Sequence, residues 1–553
     1  MYITNVIPLI KIPRPGYQVL SYLSPAPIKS RSLVEINIRS KKIKALVVDQ
    51  KTVKEGKVWF KKMENFKIKK IDKVISDEPV LNEKQFKLMF WMADYYFTSL
   101  GLVAKIFLSD NKERDKNFKV FRGKKELILN PSIKNIVFSP FEKLDFVVIE
   151  DEESSFYRSW GRKPYYNARD VAVQLAKIHK AKLILKSSLP SIKTYYWSKK
   201  GKYVLDFKKK EIKADNHLVD MREESKNGNQ SPISSLLKEK INKFGKIILF
   251  VSRRGSSTFV FCPDCGYIVE CSDCDVPMVF HEYLKKKGEG LSLMCHYCGK
   301  RKPAPALCPK CKKTKLKYFG AGTQKIEEEI KKLFNDLNVF RMDSDISEKV
   351  SEQKKIVKDF LNSDNAVLVG TQMIFNKGLS ADLVGVVSLD TLLNLPEYKG
   401  SERVFQIIKE LRKMSNKEFV LQSYRPGSFV LESALANNYI SFYNKELKER
   451  KRFNYPPFCQ IIKLSFKSFN YAHARREANI LTAKLGQQKN SLGLKEKDLV
   501  IVGPAPAFIS KIGGKYIWHI ILKSKIKDLG LRNKLLMIAP SSWEVEVDPD
   551  TLL

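Results

Sequence analysis

Eight of the nine cysteines fall within 50 residues, as four CxxC pairs: Cys262/Cys265, Cys271/Cys274, Cys295/Cys298 and Cys308/Cys311. A CxxC turn places two thiolates on one side of a tight loop, where they suit two corners of a tetrahedral zinc site with Zn–S bonds of about 2.3 Å. Four pairs supply two closed Cys₄ sites without room for water, so we expect two structural zinc ions. Thiolates also suit an iron–sulfur cluster, and this alternative stays open.

Other residues near the cysteine block carry weaker signals. His281 and His296 lie inside it, but eight cysteines already fill two sites, so we expect these histidines to be surface or packing residues. Cys459 stands alone and is predicted to be a small core residue. The many lysines around the block suit either phosphate contacts or a solvated surface, and both interpretations stay open.

The charge of the chain predicts a polyanionic partner. One hundred Lys and Arg against sixty Asp and Glu give a net charge of +40, which favours nucleic acid first and an anionic membrane second. A genome of low GC content, whose codons favour lysine, is the alternative explanation for this charge. No apolar stretch is long enough for a membrane span and the start does not resemble a signal peptide, so we expect a cytoplasmic, nucleoid-associated protein without a membrane partner.

The elements that must position these residues begin with short strands over residues 1–75 and a helix over 81–100, capped by Asn82. A polar stretch, 109–126, is predicted to be a linker. The sequence then predicts four elements and a second polar loop: strands at 135–140 and 145–150, a helix at 171–180, a strand at 181–188 and the loop at 208–232.

The second half alternates strands and helices. The apolar runs at 247–251, 366–370 and 383–388 are predicted strands, and 325–334 is a predicted amphipathic helix. This alternation is typical of a parallel α/β sheet. The cysteine block interrupts the alternation, so it is predicted to be an insertion in this domain. A last unit of strands and helices begins at about residue 440.

Several motifs, in order along the chain, carry a resemblance to one family. They are SRRG before the first cysteine, CHYCG at the third pair, GAGTQKIEEEI after the fourth, VGTQMIFNKGL, PEYKGSERVFQ, YPPF, VGPAPA and EVDPD. Upstream, DEPVLNEKQFKLMFWMADYY, DEES with YYNARDVAV, and LKSSLPS look like the end of a DNA-binding domain and two helicase motifs. The chain therefore resembles the PriA family of bacterial replication-restart DNA helicases.

The resemblance implies a fold and a division into domains. The fold is α/β and multidomain, with truncated RecA-like helicase lobes, an inserted two-zinc module, and N- and C-terminal DNA-binding domains. The implied boundaries are 1–105 for the N-terminal domain, 126–205 for truncated lobe 1, 232–261 and 313–438 for lobe 2, 262–312 for the zinc insert, and 439–553 for the C-terminal domain. By resemblance, Cys262, Cys265, Cys308 and Cys311 hold one zinc ion, and Cys271, Cys274, Cys295 and Cys298 hold the other.

The nucleotide motifs of the family depart from its pattern. The sequence contains no GxxxxGK followed by Ser or Thr, the loop whose amides cradle phosphates and whose hydroxyl binds Mg²⁺. Asp151 and Glu152 remain of motif II, but Ser154 replaces its histidine. The arginine-finger string is replaced by IIKELRKMSNKEF, which keeps Arg412. We therefore expect no ATP binding, no catalytic residues and an acidic turn of structural importance only.

For DNA contacts, the resemblance points to four residues: Arg253, Arg254, Lys515 and Trp518. In the N-terminal domain of the family, an aspartate between two aromatic residues grips the terminal nucleotide. The nearest counterpart here is the run Leu20-Ser21-Tyr22, which lacks a carboxylate. We predict a replication restart protein that binds stalled or branched DNA forks and single strands and helps to assemble the primosome without helicase activity. Its implied partners are the single-stranded DNA-binding protein, other primosome proteins and the replicative helicase. The alternatives are a functional ATP-dependent 3′-5′ helicase with an unrecognised nucleotide site, and a zinc-containing RNA-binding protein.

Overall fold

The computed structural model describes most of the chain. The described residues are 1–12, 18–53, 68–109, 118–121, 124–159, 163–206, 214–252, 260–262, 265, 267, 269–272, 278–280, 292–295, 299–303, 305–312, 317–318, 322–343, 350–394 and 397–552. The chain forms two compact units. The first comprises Met1–Ser191, Cys459–Val502 and Ile512–Asp550, and the second comprises Ile192–Phe458, Gly503–Lys511 and Thr551–Leu553.

The first unit begins with a five-stranded antiparallel sheet. Its strands, from one edge to the other, are Leu20–Ser24, Tyr2–Pro8, Lys41–Thr52, Leu33–Ile38 and Lys73–Ser76. Apolar residues at alternate positions fill one core, because side chains of a strand alternate between its two faces. These core residues include Val6, Val34, Ile36 and Val47. The short strands predicted for residues 1–75 are confirmed.

Two helices follow this sheet, where the sequence predicts one. The first, Glu83–Tyr95, begins at Asn82, whose side chain forms a capping box with Gln85 as predicted. It ends early because the chain turns at Phe97, which has a φ of +48°. The second helix, Leu100–Phe107, packs so closely on the first strand that a Cβ at Gly101 would lie 2.1 Å from the Pro8 carbonyl oxygen. The single helix predicted over 81–100 is therefore wrong.

A four-stranded sheet follows, in the order Phe118–Phe121, Lys124–Leu129, Phe146–Ile149 and Lys182–Leu185. The first two strands are antiparallel and the others are parallel. The linker predicted at 109–126 is thus partly strand. The strand predicted at 135–140 is instead covered by the 3₁₀ helix Pro131–Phe138, because Asn130 caps its start. The crossover helix, Ala168–His179, is as predicted.

The C-terminal part of the first unit is a sheet covered by helices. Its strands, in spatial order, are Leu499–Ile512, Lys515–Ser524, Gln460–Ser468 and Glu544–Val547, and its helices are Tyr471–Ser491 and Leu529–Leu536. Residues 503–511 of the first of these strands are counted with the second unit. Leu88, Val147 and Leu464, from three distant parts of the chain, belong to one hydrophobic cluster. The N-terminal helices, the four-stranded sheet and the C-terminal sheet therefore share one core.

The second unit contains a six-stranded parallel sheet, which confirms the prediction from strand–helix alternation. The strand order is Asp215–Asp220, Ser415–Ser423, Ala381–Ser388, Lys246–Val251, Ala366–Gly370 and Asn338–Met342. Its helices are Ile192–Lys199, Met221–Lys226, Ser235–Lys243, Thr323–Leu333, Val350–Asn362, Asp390–Leu393, Gly400–Lys413, Phe429–Leu435 and Tyr439–Arg452. The loop predicted at 208–232 is wrong, because it contains a polar edge strand and a helix.

The cysteine block lies in the chain between the strand Lys246–Val251 and the helix Thr323–Leu333. Its described strands form two small antiparallel sheets, which pair Val260–Phe261 with Lys317–Tyr318, and Val279–Phe280 with Ser292–Met294 and Arg301–Pro303. None of the helices in the described ranges has the length and apolar character that crossing a membrane requires. The six predicted domain boundaries stay predictions.

Candidate functional site

Four cysteines from the two ends of the block converge on one point. The Sγ atoms of Cys262, Cys265, Cys308 and Cys311 all lie within 4.8 Å of one another. The Cys262–Cys311 and Cys265–Cys308 sulfur pairs are each 3.6 Å apart, far beyond a disulfide bond of about 2.05 Å. A tetrahedral zinc ion with bonds of about 2.3 Å separates its sulfur ligands by roughly 3.8 Å. The four thiols therefore fit a zinc ion, and they are the set that the resemblance implies.

Backbone hydrogen bonds shape this metal site. Cys262 N–H donates to the Tyr267 carbonyl (2.8 Å) and Lys312 N–H donates to the Cys308 carbonyl (2.9 Å), with Lys312 in the left-handed region at a φ of +57°. Burial raises the pKa of the Cys308 thiol, but N–H groups of Cys311 and Lys310 donate to it and bring its pKa down to about 7. These donors favour the thiolate that a metal requires.

The described residues include two of the four predicted ligands of the second zinc site. Cys271 and Cys295 are described and both are buried, whereas Cys274 and Cys298 lie outside the described residues. Gly299 has a φ of +78° and its N–H donates to the Cys295 carbonyl at 2.9 Å. This turn repeats the one at Lys312, where the residue after a CxxC pair also has a positive φ. The second zinc site stays a prediction.

The acidic turn predicted from motif II follows the strand Phe146–Ile149. Glu152 is 1% exposed, and its carboxylate accepts from Arg169 Nη1 at 2.8 Å. It also accepts from the backbone N–H of Ser191 at 2.6 Å and from the Ser191 hydroxyl at 3.1 Å. Both carboxylate oxygens therefore have protein partners in a buried setting.

Glu153 makes a second link between the acidic turn and the LKSSLPS run at 185–191. Its carboxylate accepts from the Ser187 hydroxyl at 2.6 Å and from the Ser188 hydroxyl at 3.4 Å. Burial is the main cause that raises the pKa of Glu153 to about 7, against the lowering effect of the Ser187 hydrogen bond. The turn thus joins two segments of the first unit through hydrogen bonds that need no nucleotide.

Arg412 is the arginine in the run that replaces the arginine-finger string, and its side chain is also buried. It lies in the helix Gly400–Lys413 with 4% exposure, and its Nη1 donates to the Ala434 carbonyl at 2.6 Å. Burial lowers the pKa of this guanidinium. An arginine finger must reach a transferring phosphoryl group. The Arg412 guanidinium is buried and bound to a carbonyl, so it is not available to such a phosphoryl group.

Both ends of the chain match models of one protein family. Residues 9–109 match the 3'DNA-binding domain (3'BD), and residues 451–550 match the Primosomal protein N C-terminal domain. Replication restart protein PriA of Bacillus subtilis is 33% identical over 441 residues, which cover 76% of this chain and 52% of that protein. The PriA proteins of Synechocystis sp. (32% identity, 80% of this chain and 55% of that protein) and Borreliella burgdorferi (28% identity, 81% and 68%) are also similar. The chain belongs to the PriA family.

The chain spans about half the length of the first PriA relatives that it matches. Among solved structures, S. cerevisiae Dbp5 bound to RNA and ADP BeF3 matches 58% of this chain and 66% of its own, with a TM-score of 0.30 and 11% identity. A likeness at that TM-score carries no argument. Membership of the PriA family rests on the sequence matches.

The residues predicted to contact DNA have different surroundings. Arg253 and Arg254 lie outside the described residues. Lys515 is exposed at the start of its strand, beside the hairpin turn at Gly513 and Gly514. Trp518 is 5% exposed and its ring centroid lies 5.8 Å from that of Tyr471 within the core. A DNA contact by Lys515 or Trp518 stays a prediction.

An exposed aromatic residue beside Lys515 was missed by the sequence analysis. Phe469, in the turn after the strand Gln460–Ser468, is 71% exposed, and Lys515 Nζ lies 4.9 Å from its ring centroid. An aromatic residue in a polar turn was the available signal. Exposed rings of this kind can stack on the bases of single strands.

The structure also describes the N-terminal run that replaces the family's aspartate. Tyr22 is buried and its hydroxyl donates to the Asn37 carbonyl at 3.2 Å. The Ser21 hydroxyl donates to Asn5 Oδ1 at 2.8 Å, and Asn5 Nδ2 donates to Asp49 at 2.7 Å. A carboxylate is thus present two strands away from Ser21, which the linear comparison did not indicate.

Two buried arginines were also missed. The Arg158 guanidinium is 1% exposed and binds the Glu546 carboxylate at 2.6 Å and the Asp548 carbonyl at 2.7 Å. Arg532 is fully buried and donates to the Asp94 carbonyl at 2.7 Å. Arg532 connects the two regions of the first unit that match the PriA domain models. Arg158 connects the C-terminal one of these regions to the segment that lies between them in the chain. Nothing in the sequence indicates such pairing, because the partners are hundreds of residues apart.

Proposed function

We propose that this chain is a replication restart protein that binds stalled or branched DNA forks, and that it acts without helicase activity. The observation that carries the second part is the state of Glu152. A carboxylate that orients Mg²⁺ and water must be accessible to them, whereas that of Glu152 is buried and bound by Arg169 and Ser191. The missing GxxxxGK loop agrees with this.

Three features support DNA binding. The two ends of the chain match the 3'DNA-binding domain and the Primosomal protein N C-terminal domain. The net charge of +40 favours a phosphate-rich partner. Lys515, at its hairpin, and the exposed ring of Phe469, in the neighbouring turn, lie beside each other on the first unit. Together these features favour a fork with single-stranded arms over a small-molecule substrate.

The zinc module and the partner proteins complete the proposal. Two structural zinc ions would hold the cysteine block together, and the block would contribute to DNA or partner binding. By resemblance to the PriA family, the partners are the single-stranded DNA-binding protein, other primosome proteins and the replicative helicase, for which the fork-bound protein would be a loading platform.

An ATPase assay with forked DNA tests the absence of a motor. We expect no DNA-stimulated ATP hydrolysis above that of a heat-inactivated sample, and no binding of a fluorescent ATP analogue. DNA-stimulated turnover on the order of 1 s⁻¹ or faster, ordinary for an enzyme, would instead favour the alternative of a functional 3′-5′ helicase with an unrecognised nucleotide site.

Fork binding is tested separately by fluorescence anisotropy over a range of salt concentrations. We expect log K to fall linearly with log salt, with a slope of about −0.9 for each duplex phosphate contacted. Competition with structured RNA distinguishes the remaining alternative, a zinc-containing RNA-binding protein. Weak, salt-insensitive fork binding, or preference for RNA, contradicts the proposal.

A further inference from the structure

The second unit has a cleft of about 350 Å³ beside the cysteine cluster. One wall comes from the carboxyl ends of two paired parallel strands, Asp215–Asp220 and Ser415–Ser423. Asp220 pairs with Ser423 in register, so Arg222 and Arg425, each two residues further on, leave the sheet side by side and both line the cleft. In open parallel sheets, ligands bind beyond the carboxyl ends of the strands.

The two arginines on this wall are held in fixed positions. Arg222 Nε and Nη2 donate to the Asp220 carboxylate at 2.8 and 2.5 Å. Arg425 Nη1 donates to Asn394 Oδ1 at 2.8 Å. A guanidinium carries five N–H donors, so each retains further donors after these contacts. Preorganised guanidinium groups are well suited to bind phosphate.

The opposite wall comes from the cysteine cluster. Cys265 lines the cleft, together with Lys310 from the Cys308/Cys311 turn and Tyr267, whose carbonyl accepts from Cys262 N–H. One side of the cleft is therefore built on the residues that fit a zinc ion. Loss of the metal would release that wall.

The lining has the chemistry of a nucleotide site. Three cations, Arg222, Arg425 and Lys310, and one carboxylate, that of Glu270, line the cleft. Asp220 balances the charge of Arg222, which leaves Arg425 and Lys310 for a phosphate. Tyr267, and Tyr424 on the sheet side, supply aromatic surface. Base–aromatic stacking tolerates any sequence because every base has a π-face. The cleft volume lies in the range of about 300–1,000 Å³ that is usual for ligand sites.

We propose that this cleft binds one nucleotide of a DNA single strand, with the phosphate at Arg425 and Lys310 and the base against Tyr267. The inference rests on the proposed fork binding and adds a second contact point, in the other unit from Lys515 and Phe469. It also assigns a direct role to the zinc site, which keeps Tyr267 and Lys310 in place.

The test compares Lys310→Ala and Tyr267→Leu with the matched control Lys332→Ala. Lys332 lies on the exposed last turn of the helix Thr323–Leu333, outside the cleft lining. Lys310→Ala keeps the backbone N–H that donates to the Cys308 thiol. The probe is a fluorescein-labelled oligothymidylate of about 15 nucleotides, added to the full-length, zinc-loaded protein, and the zinc content of each variant is measured first.

We expect Lys310→Ala to weaken binding about fivefold and to reduce the slope of log K against log salt by about 0.7, the effect of one lost single-strand phosphate contact. Tyr267→Leu should weaken binding with an unchanged slope, because stacking releases no counterions. Lys332→Ala should bind as the parent does. Loss in Lys310→Ala alone would overturn the stacked base, and three variants with parental affinity and slope would overturn the site.

The same oligonucleotide experiment is paired with a forked substrate. If the parent protein does not bind forks, the proposed function fails. If the parent binds forks while Lys310→Ala and Tyr267→Leu match Lys332→Ala on the single strand, the proposed function stands and only the cleft is refuted.

Discussion

Arg169 Nη1 lies 2.8 Å from Oε2 of Glu152, and both side chains are largely buried. Glu152 belongs to the DEES run, whose resemblance to motif II of the PriA family rests on the sequence. The carboxylate also accepts from Ser191. It therefore joins the turn after the strand Phe146–Ile149 to the segment after the strand Lys182–Leu185. The acidic turn and the LKSSLPS run are therefore held together as a structural joint.

Replacing Glu152 should destabilise the first unit. Glu152→Ala removes the carboxylate that accepts from Arg169 and Ser191 and leaves the largely buried Arg169 guanidinium with the Asp170 carboxylate, which costs about 3 kcal/mol of unfolding free energy. Urea unfolding followed by circular dichroism measures this cost. The control is Glu150→Ala, two residues earlier, whose side chain is 41% exposed and whose loss should change stability by less than about 0.5 kcal/mol. Equal stability of the two variants would contradict a structural joint.

Glu153 should give the first unit a pH dependence. The pKa of its carboxyl is about 7 in the folded protein and 4.5 by the ordinary value, so over this window the folded state retains a proton that the unfolded state has released. Stability from this group is present at low pH and is lost as pH rises through about 7. Glu153→Gln removes the effect.

Urea unfolding of the parent and Glu153→Gln at about pH 5 and about pH 8 checks this sign. The parent should lose up to about 3 kcal/mol more than the variant between the two pH values, as expected for a shift of this size. Comparison with the variant cancels the titration of other groups. A parent that loses no more than the variant would show that the Glu153 carboxyl titrates normally.

Arg158 should contribute more to stability than a similar pair at the surface. Its guanidinium is 1% exposed and binds Glu546, while Lys163 binds Glu544 on the same strand with 36% of its side chain exposed. Arg158→Ala should cost about 3 kcal/mol or more, and Lys163→Ala at most about 1 kcal/mol. Chemical denaturation of both variants gives the difference, and similar costs would refute the role assigned to Arg158.

The sequence predicted the parts of this protein that depend on local pattern. CxxC spacing indicated the metal cluster, and strand–helix alternation indicated the parallel sheet. It missed the edge strand Asp215–Asp220, because edge strands contact solvent and need no apolar run. It also missed the pairing of Arg158 with Glu546, because no local pattern records contacts between residues so far apart in the chain.

Metal removal should separate structural from unreactive cysteines. Cys308→Ser should lose one of two expected zinc ions per chain, measured by atomic absorption, and weaken fork binding. Cys459→Ser is the control, because this buried cysteine does not belong to the group of four whose sulfur atoms converge. Chelation of the parent should have the effect of Cys308→Ser or a larger one. Unchanged fork binding after verified zinc loss would show that the module is dispensable.

Phe469 should act as a stacking platform for single-stranded DNA. A ring that is 71% exposed with Lys515 Nζ at 4.9 Å offers a π-face and a phosphate partner together. Phe469→Ala should weaken binding of a fork with a single-stranded arm by about 1–2 kcal/mol, Phe469→Trp should retain it, and neither should change the salt slope. Ile480→Ala, at an exposed apolar residue on the neighbouring helix, is the control for lost apolar surface. Equal affinities of Phe469→Ala and Ile480→Ala would refute stacking, whereas a salt slope reduced by Lys515→Ala alone would identify the cation as the phosphate contact of this hairpin.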